Sequence, residues 1–134
     1  MSTKFETVIQ PRFCETDALG HISNTVFPVW FEHARRPILE ELHPSLDIKD
    51  WPLIIARLEI DYRYQTFAQK DVTVLTSISQ VGNKSFHVLH QAIQEDKVVA
   101  EGVSVLVWFD YNLNKPISIP DTQRKVLTNL MEGN

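Results

Sequence analysis

Asp17, Gly20, His21 and Asn24 lie within one short stretch, between an alternating apolar segment and a segment with a three- and four-residue apolar period. A carboxylate can serve as general base towards water or as nucleophile towards an activated carbonyl, and an imidazole can move a proton. Asparagine is a good helix N-cap, and the free N–H groups of a helix start point at developing negative charge. Polar side chains packed between a buried strand and the positive end of a helix are costly unless paired or used. Each residue also has an ordinary role: Asp17 bonded to loop backbone, His21 buried and satisfied by a peptide group, Asn24 a simple cap. Gly20 fits a turn or a close backbone approach. Glu32 and Arg35 follow three residues apart, a spacing that suits an ion pair on a helix. Cys14 has no base beside it in sequence, and a small buried thiol is its expected role.

The elements that must position these groups follow from the pattern of apolar residues. Phe5 to Phe13 alternates as a strand, ending near Phe13, with Pro11 marking an edge or an early distortion. A helix is predicted from about Asn24, with Val26, Phe27, Trp30, Phe31, Ala34, Ile38 and Leu42 along one face. Pro28 is tolerable in the first turn, whereas Pro37 must kink the helix or divide it after Arg36. His43 to Trp51 reads as a loop. Strands are predicted over Leu53–Tyr64, Asp71–Val81, Lys84–Gln94 and Val98–Phe109, the last with a bulge at Gly102. The turns at Gly82-Asn83 and Glu95-Asp96-Lys97 are short, so residues 71–109 form a three-stranded antiparallel meander. Pro120-Asp121 opens a final amphipathic helix bearing Val126, Leu127, Leu130 and Met131. This order is α+β, with the sheet wrapped on the first helix. Such a sheet leaves an edge strand uncovered, and a second copy of the chain is the simplest cover.

Composition narrows the function classes. The chain has 134 residues, 43% hydrophobic and 22% charged, which suits one globular domain over residues 1–134. A net charge of −4 argues against a nucleic-acid-binding surface. One cysteine permits no intrachain disulfide and fits a reducing compartment. The N-terminal residues lack the apolar run of a signal peptide, and no apolar run approaches the ~20 residues of a membrane helix. A cytoplasmic protein with no membrane partner is expected.

The pattern Arg12-x-x-x-x-Asp17-x-x-Gly20-His21-x-x-Asn24-x-x-Phe27-x-x-x-x-Glu32-x-Ala34-Arg35 resembles the signature of hotdog-fold acyl-CoA thioesterases of the 4-hydroxybenzoyl-CoA thioesterase type. Arg57-Leu-Glu-Ile-Asp-Tyr-Arg-Tyr is similar to that family's second strand, Val81-Gly-Asn-Lys-Ser85-Phe to its hairpin after the third, and Ala100-Glu-Gly-Val-Ser-Val-Leu-Val to its last strand. The likeness spans roughly residues 5 to 125. It implies a hotdog fold: a long central helix wrapped by a curved antiparallel sheet of about five strands. It also implies homodimers joined edge to edge, often paired again into homotetramers, with active sites at the dimer interface. The implied reaction is hydrolysis of an acyl-CoA thioester, held on coenzyme A or on acyl carrier protein, to a carboxylic acid and the free thiol. No metal and no separate cofactor are expected, coenzyme A being part of the substrate.

On that likeness Asp17 is the catalytic carboxylate, as general base or nucleophile. His21 is beside it, and a backbone donor near Asn24 polarises the thioester carbonyl. Glu32 is the rival carboxylate, because another hotdog lineage carries its catalytic acid on the helix. The phosphates of coenzyme A want cationic or backbone donors. Lys84 with Ser85 is the first candidate, followed by Arg57, Arg63 and Lys115. Phe27, Trp30, Phe31, Tyr62 and Tyr64 are candidates to shape an acyl pocket. Departures from the family pattern are Ser23 in place of a common Asn, Phe27 in place of a common Tyr, and prolines at 28 and 37. Two other readings share the fold class: a dehydratase or hydratase acting on the acyl chain, and a non-catalytic acyl-CoA-binding protein.

Overall fold

A computed structural model describes residues 2–133. The chain forms strand β1 (Phe5–Ile9), helices α1 (Phe27–Ala34) and α2 (Arg36–Leu42), strands β2 (Leu53–Tyr62), β3 (Val72–Val81), β4 (Ser85–Gln94) and β5 (Lys97–Asp110), a two-residue strand β6 (Lys115–Pro116) and helix α3 (Asp121–Glu132). The antiparallel sheet runs β1-β3-β4-β5-β2, with β6 on the end of β5. The expected meander is β3-β4-β5. Along β4, buried and half-buried residues alternate without a break, the period-2 signature of a sheet with one face against a core. α1, α2 and α3 cover that face.

The long helix expected from the sequence is instead two short ones. Pro37 has no N–H, and its ring clashes with the carbonyl four residues earlier, so the helical ladder cannot run through it. The break falls at Arg35, one residue before the expected position, and leaves segments of 8 and 7 residues. Pro28 and Pro37 each occupy the first turn of their helix, where the missing donor has no helical partner. β1 ends at Ile9, four residues short of Phe13, because Pro11 cannot continue the ladder.

Gly102 is not at a bulge. The register slips at Ile55/Arg57, Ile78/Gln80 and Ala92/Ile93, and Gly102 lies in regular register between His90 and Ile60. Its lack of a side chain lets Phe31 of α1 rest on the sheet: a Cβ there would stand 2.8 Å from Phe31 Cε2 and 3.0 Å from the Glu59 carbonyl oxygen. Phe31 is fully buried and cannot retreat easily. Gly102→Ala is therefore expected to destabilise the fold by about 1–3 kcal/mol, read as a lowered midpoint in urea denaturation.

A polar belt crosses this core between its two apolar clusters. Arg35 Nη1 donates to Ser104 Oγ (2.9 Å), and the Ser104 hydroxyl bonds His90 Nε2 (2.9 Å). The His90 ring stacks on Phe31 at 4.7 Å, with planes 3° apart. Burial, reinforced by the Arg35 charge, holds the His90 pKa down to about 3 from its ordinary 6.5. The imidazole is thus neutral, and its Nε2 shares the hydrogen bond with the Ser104 hydroxyl. Folding depresses this pKa, so the unfolded chain takes up the proton first. Stability is full above about pH 6.5 and declines as pH falls towards about 3, by up to ~1.4 kcal/mol per pH unit. Thermal melts at pH 4 to 7 should show this slope in the wild type and a shallower one in His90→Gln.

Candidate active site

The segment from Thr16 to Ile22 is a miniature hairpin. Thr16 bridges Ile22 in antiparallel fashion, the Asp17 N–H donates to the His21 carbonyl (2.7 Å), and Gly20 closes the turn at φ +85°. Of the two roles expected of Gly20, it takes the turn, with a left-handed backbone and nothing within 4 Å of where a Cβ would stand. Asp17 Oδ1 accepts from two backbone N–H groups, Leu19 (2.8 Å) and His21 (3.0 Å). Its other carboxylate oxygen has no hydrogen-bond partner among the described residues. Both readings of Asp17 thus coexist: one oxygen organises the loop and one remains available.

Asp17 is exposed in the single chain, so it is not itself the carboxylate buried at a cost. That residue is Glu15, only 6% exposed. Burial pushes its pKa up, but hydrogen bonds from the Arg12 N–H (2.7 Å), Trp30 Nε1 (2.9 Å) and the Arg12 guanidinium together hold it below its ordinary value. The Ser23 N–H donates to the Glu15 carbonyl (2.9 Å). Glu15 therefore ties the root of the Asp17 loop to α1.

The other side of the loop is held by the segment after β2. The Ile22 N–H donates to the Thr66 carbonyl (2.7 Å), and His21 bridges Phe67, with the two rings edge-to-face at 5.2 Å. Gln94, 5% exposed at the end of β4, pairs with the Phe67 backbone: Oε1 accepts its N–H (2.9 Å) and Nε2 donates to its carbonyl (2.8 Å). The half-buried His21 ring has no hydrogen bond among the described residues, which differs from the satisfied histidine of the ordinary reading.

Asn24 does not cap the helix. α1 begins at Phe27 after a turn over residues 24–26, and the Ser23 hydroxyl, not Asn24, takes the Thr25 N–H (3.3 Å). The Asn24 carbonyl instead accepts from Tyr62 Oη (2.7 Å), whose ring meets Phe27 edge-on at 5.5 Å. Burial raises the Tyr62 pKa, which keeps the phenol a donor. The Asn24 N–H has no acceptor among the described residues. Asp17, His21, Asn24, Phe27, Tyr62 and Arg63 line a groove of about 420 Å³.

Other predicted residues lie elsewhere in the chain. Glu32 lines a separate cavity of about 860 Å³ with Arg36, Trp51, Pro52, Trp108 and Tyr111. Arg35 bonds Ser104, and no Glu32–Arg35 pair within 4.0 Å exists among the described residues. Lys84 and Ser85 sit at the β3–β4 hairpin, where the Trp108 N–H donates to the Lys84 carbonyl (2.8 Å). Ser85 and Gln94 are opposite ends of β4, about 30 Å apart at ~3.3 Å per residue, so one chain does not bring Lys84 to its own Asp17 loop. Arg57 is on β2, ion-paired with Glu59, and Lys115 is exposed on β6. Cys14 is exposed rather than buried.

Sequence reasoning missed the roles of Glu15, Gln94 and Tyr62, whose partners lie 15 to 38 positions away and leave no local period. Tyr62→Phe removes the hydroxyl that fixes the Asn24 peptide and is expected to cost about 0.5–1.5 kcal/mol in denaturant unfolding. Among the described residues, no helix is long and apolar enough to cross a membrane.

Residues 11–127 match the model of the thioesterase-like superfamily. The chain is 42% identical to a protein from Bacillus stearothermophilus described as a predicted thioesterase, and their structures agree with a TM-score of 0.94 over 96% of this chain and 97% of that one. A thioesterase from Thermus thermophilus, solved in complex with coenzyme A and Zn, is 28% identical, with a TM-score of 0.85 over 96% of this chain and 94% of that one. An uncharacterized protein of Bacillus subtilis (strain 168), YsmA, is 25% identical over 128 residues, 94% of this chain and 86% of that protein.

Proposed function

The chain belongs to the thioesterase-like superfamily and is a thioesterase; from that premise we propose that it hydrolyses acyl-coenzyme A, with Asp17 as the reacting carboxylate. The observation that carries this is the state of Asp17: Oδ1 is fixed by two backbone N–H groups and the second oxygen is unpartnered among the described residues, on the wall of a groove shared with His21 and Asn24.

Two balanced routes use these atoms. As a base, the carboxylate takes a proton from water, the hydroxide adds to the thioester carbon, and the tetrahedral oxyanion expels the thiolate, which recovers the proton. As a nucleophile, a carboxylate oxygen displaces the thiolate to give a mixed anhydride, which water then cleaves to the acid and free Asp17. Either route places negative charge on the former carbonyl oxygen. The Asn24 N–H, just ahead of α1, is suited to meet it. Tyr62 holds the next peptide through the Asn24 carbonyl and so braces the turn that carries this donor.

The groove is shallow, and we place its second wall on another copy of the chain. β2 is the last strand of the sheet path. The Arg63 N–H bonds the Val99 carbonyl, and backbone direction alternates along a strand, so Leu58 and Ile60 turn their N–H and carbonyl groups outward. Two-fold pairing of β2 with its copy makes the strands antiparallel, bringing the Tyr62 end of one beside the Leu53 end of the other. Leu53 is level with Trp108, and Trp108 with Lys84. Lys84 and Ser85 of one copy thus reach the level of the other copy's Asp17 groove, two strands in from β2. This supports them as donors to the coenzyme A phosphates, with Arg57 along the shared edge.

Asp17→Asn keeps an oxygen acceptor for Leu19 and His21, so its melting temperature should match the wild type. Its release of thiol from a panel of short-chain, long-chain and aromatic acyl-CoA substrates should fall by about 10²–10⁴-fold. Turnover retained within tenfold on every substrate that the wild type cleaves would sink the assignment.

A further inference from the structure

Arg35 is a buried cation without a counter-charge in contact. It is 6% exposed, its guanidinium donates to the neutral Ser104 hydroxyl, and no carboxylate lies within 4.0 Å of it among the described residues. Burial lowers its pKa, and the Glu32 charge offsets that from a distance. A charge taken out of water in this way is strongly unfavourable unless an opposite charge approaches. Glu32, one turn earlier on α1, is the complementary anomaly: an exposed carboxylate with no ion-pair or hydrogen-bond partner among the described residues. The two do not meet within the chain. Arg35 reaches inward to β5, whereas Glu32 opens onto the cavity at Pro52 and Trp108.

Their location says what is missing. Ser104 lies directly opposite Leu58, near the middle of β2, so the Arg35 guanidinium stands one strand in from the unpaired edge. Val29, 57% exposed and one turn before Glu32, lines the same cavity. When two copies pair through β2, the two β5 strands lie three strand spacings apart, about 14 Å, so each Arg35 guanidinium, held at β5, stands on the flank of the joined edge. A two-fold contact is reciprocal: whatever residue i of one copy meets in the other, it meets twice.

We propose that Glu32 of each copy pairs with Arg35 of the other, so that two symmetric ion pairs close over the joined β2 edges and bring into contact a counter-charge that a single chain holds only at a distance. This rests on the edge pairing described under the proposed function. It adds to that reading a specific electrostatic lock, with Val29 as the apolar contact beside it.

The charge pattern permits a complementation test by sedimentation velocity over a range of concentrations, with circular dichroism as the check on folding. The wild type is expected to be at least dimeric. Glu32→Arg sets Arg against Arg at both contacts, and Arg35→Glu sets Glu against Glu, so each alone should weaken dimerisation at least tenfold. An equimolar mixture of the two restores both pairs and should recover a heterodimer. Wild-type affinity in Glu32→Arg, or a mixture of folded variants no tighter than its components, overturns the lock while leaving edge pairing intact. A monomeric wild type overturns both. Should the buried Arg35→Glu fail to fold, Glu32→Arg and Glu32→Gln decide: graded weakening, larger for Arg, supports the lock, and no change in either rejects it. Loss of thioesterase activity on Asp17→Asn is independent of all these outcomes.

Discussion

The contact between Phe31 and Gly102 sets the distance between helix and sheet, and much else follows from that distance. A fully buried aromatic ring lies where a Cβ at position 102 of β5 would collide with it, so α1 sits lower on the concave face than a side chain there would allow. That depth puts the Phe31 ring parallel to His90 and brings Phe27, one turn earlier, against Phe31 and Tyr62. Tyr62 then reaches the Asn24 carbonyl. A close approach in the core is thereby transmitted, through packed rings, to the peptide that faces the groove. Interiors packed at crystal-like density transmit position in this way because no slack is left to absorb it.

Charge is distributed around the same axis. Glu15 is buried and heavily hydrogen-bonded, Asp17 two residues on is exposed and half-used, and Arg35 is buried with only a hydroxyl for company. The buried carboxylate therefore serves structure, and the exposed one retains the freedom that chemistry needs. This division is the reverse of what the sequence suggests, where the reactive carboxylate is the one out of water. It also means that Asp17 owes its position to backbone donors rather than to a neighbouring cation.

The alternation of Val72, Val74, Thr76 and Ile78 makes the sheet legible, as do the short turns at Gly82 and Glu95, because a half-buried strand repeats every two residues whatever its neighbours are. Pro37 announces a helix break but not its position, since the chain gives way at the nearest residue the packing allows, here Arg35. Asn24 reads as a cap in the sequence because Asn suits that place, but a turn over residues 24–26 delays α1 to Phe27, with Val26 at the N-cap and no side-chain cap. Gly102 offers the same ambiguity. A glycine in a strand marks either a bulge or a close approach, and the ring that approaches it comes from 71 positions away.

What the sequence determined by itself was local: periods of two and of three to four, the prolines and glycines that interrupt them, and the Asp17–Asn24 motif with its family likeness. These are properties of neighbours along the chain, where sterics and peptide geometry act. The tertiary structure decided which carboxylate is buried, that Glu15 and the segment clasped by Gln94 hold the loop from opposite sides, and that Lys84 stands a full strand length from its own Asp17. Each is a contact between segments far apart in sequence, set by how strands align and how closely a helix can approach them. No local preference encodes such distances; packing does.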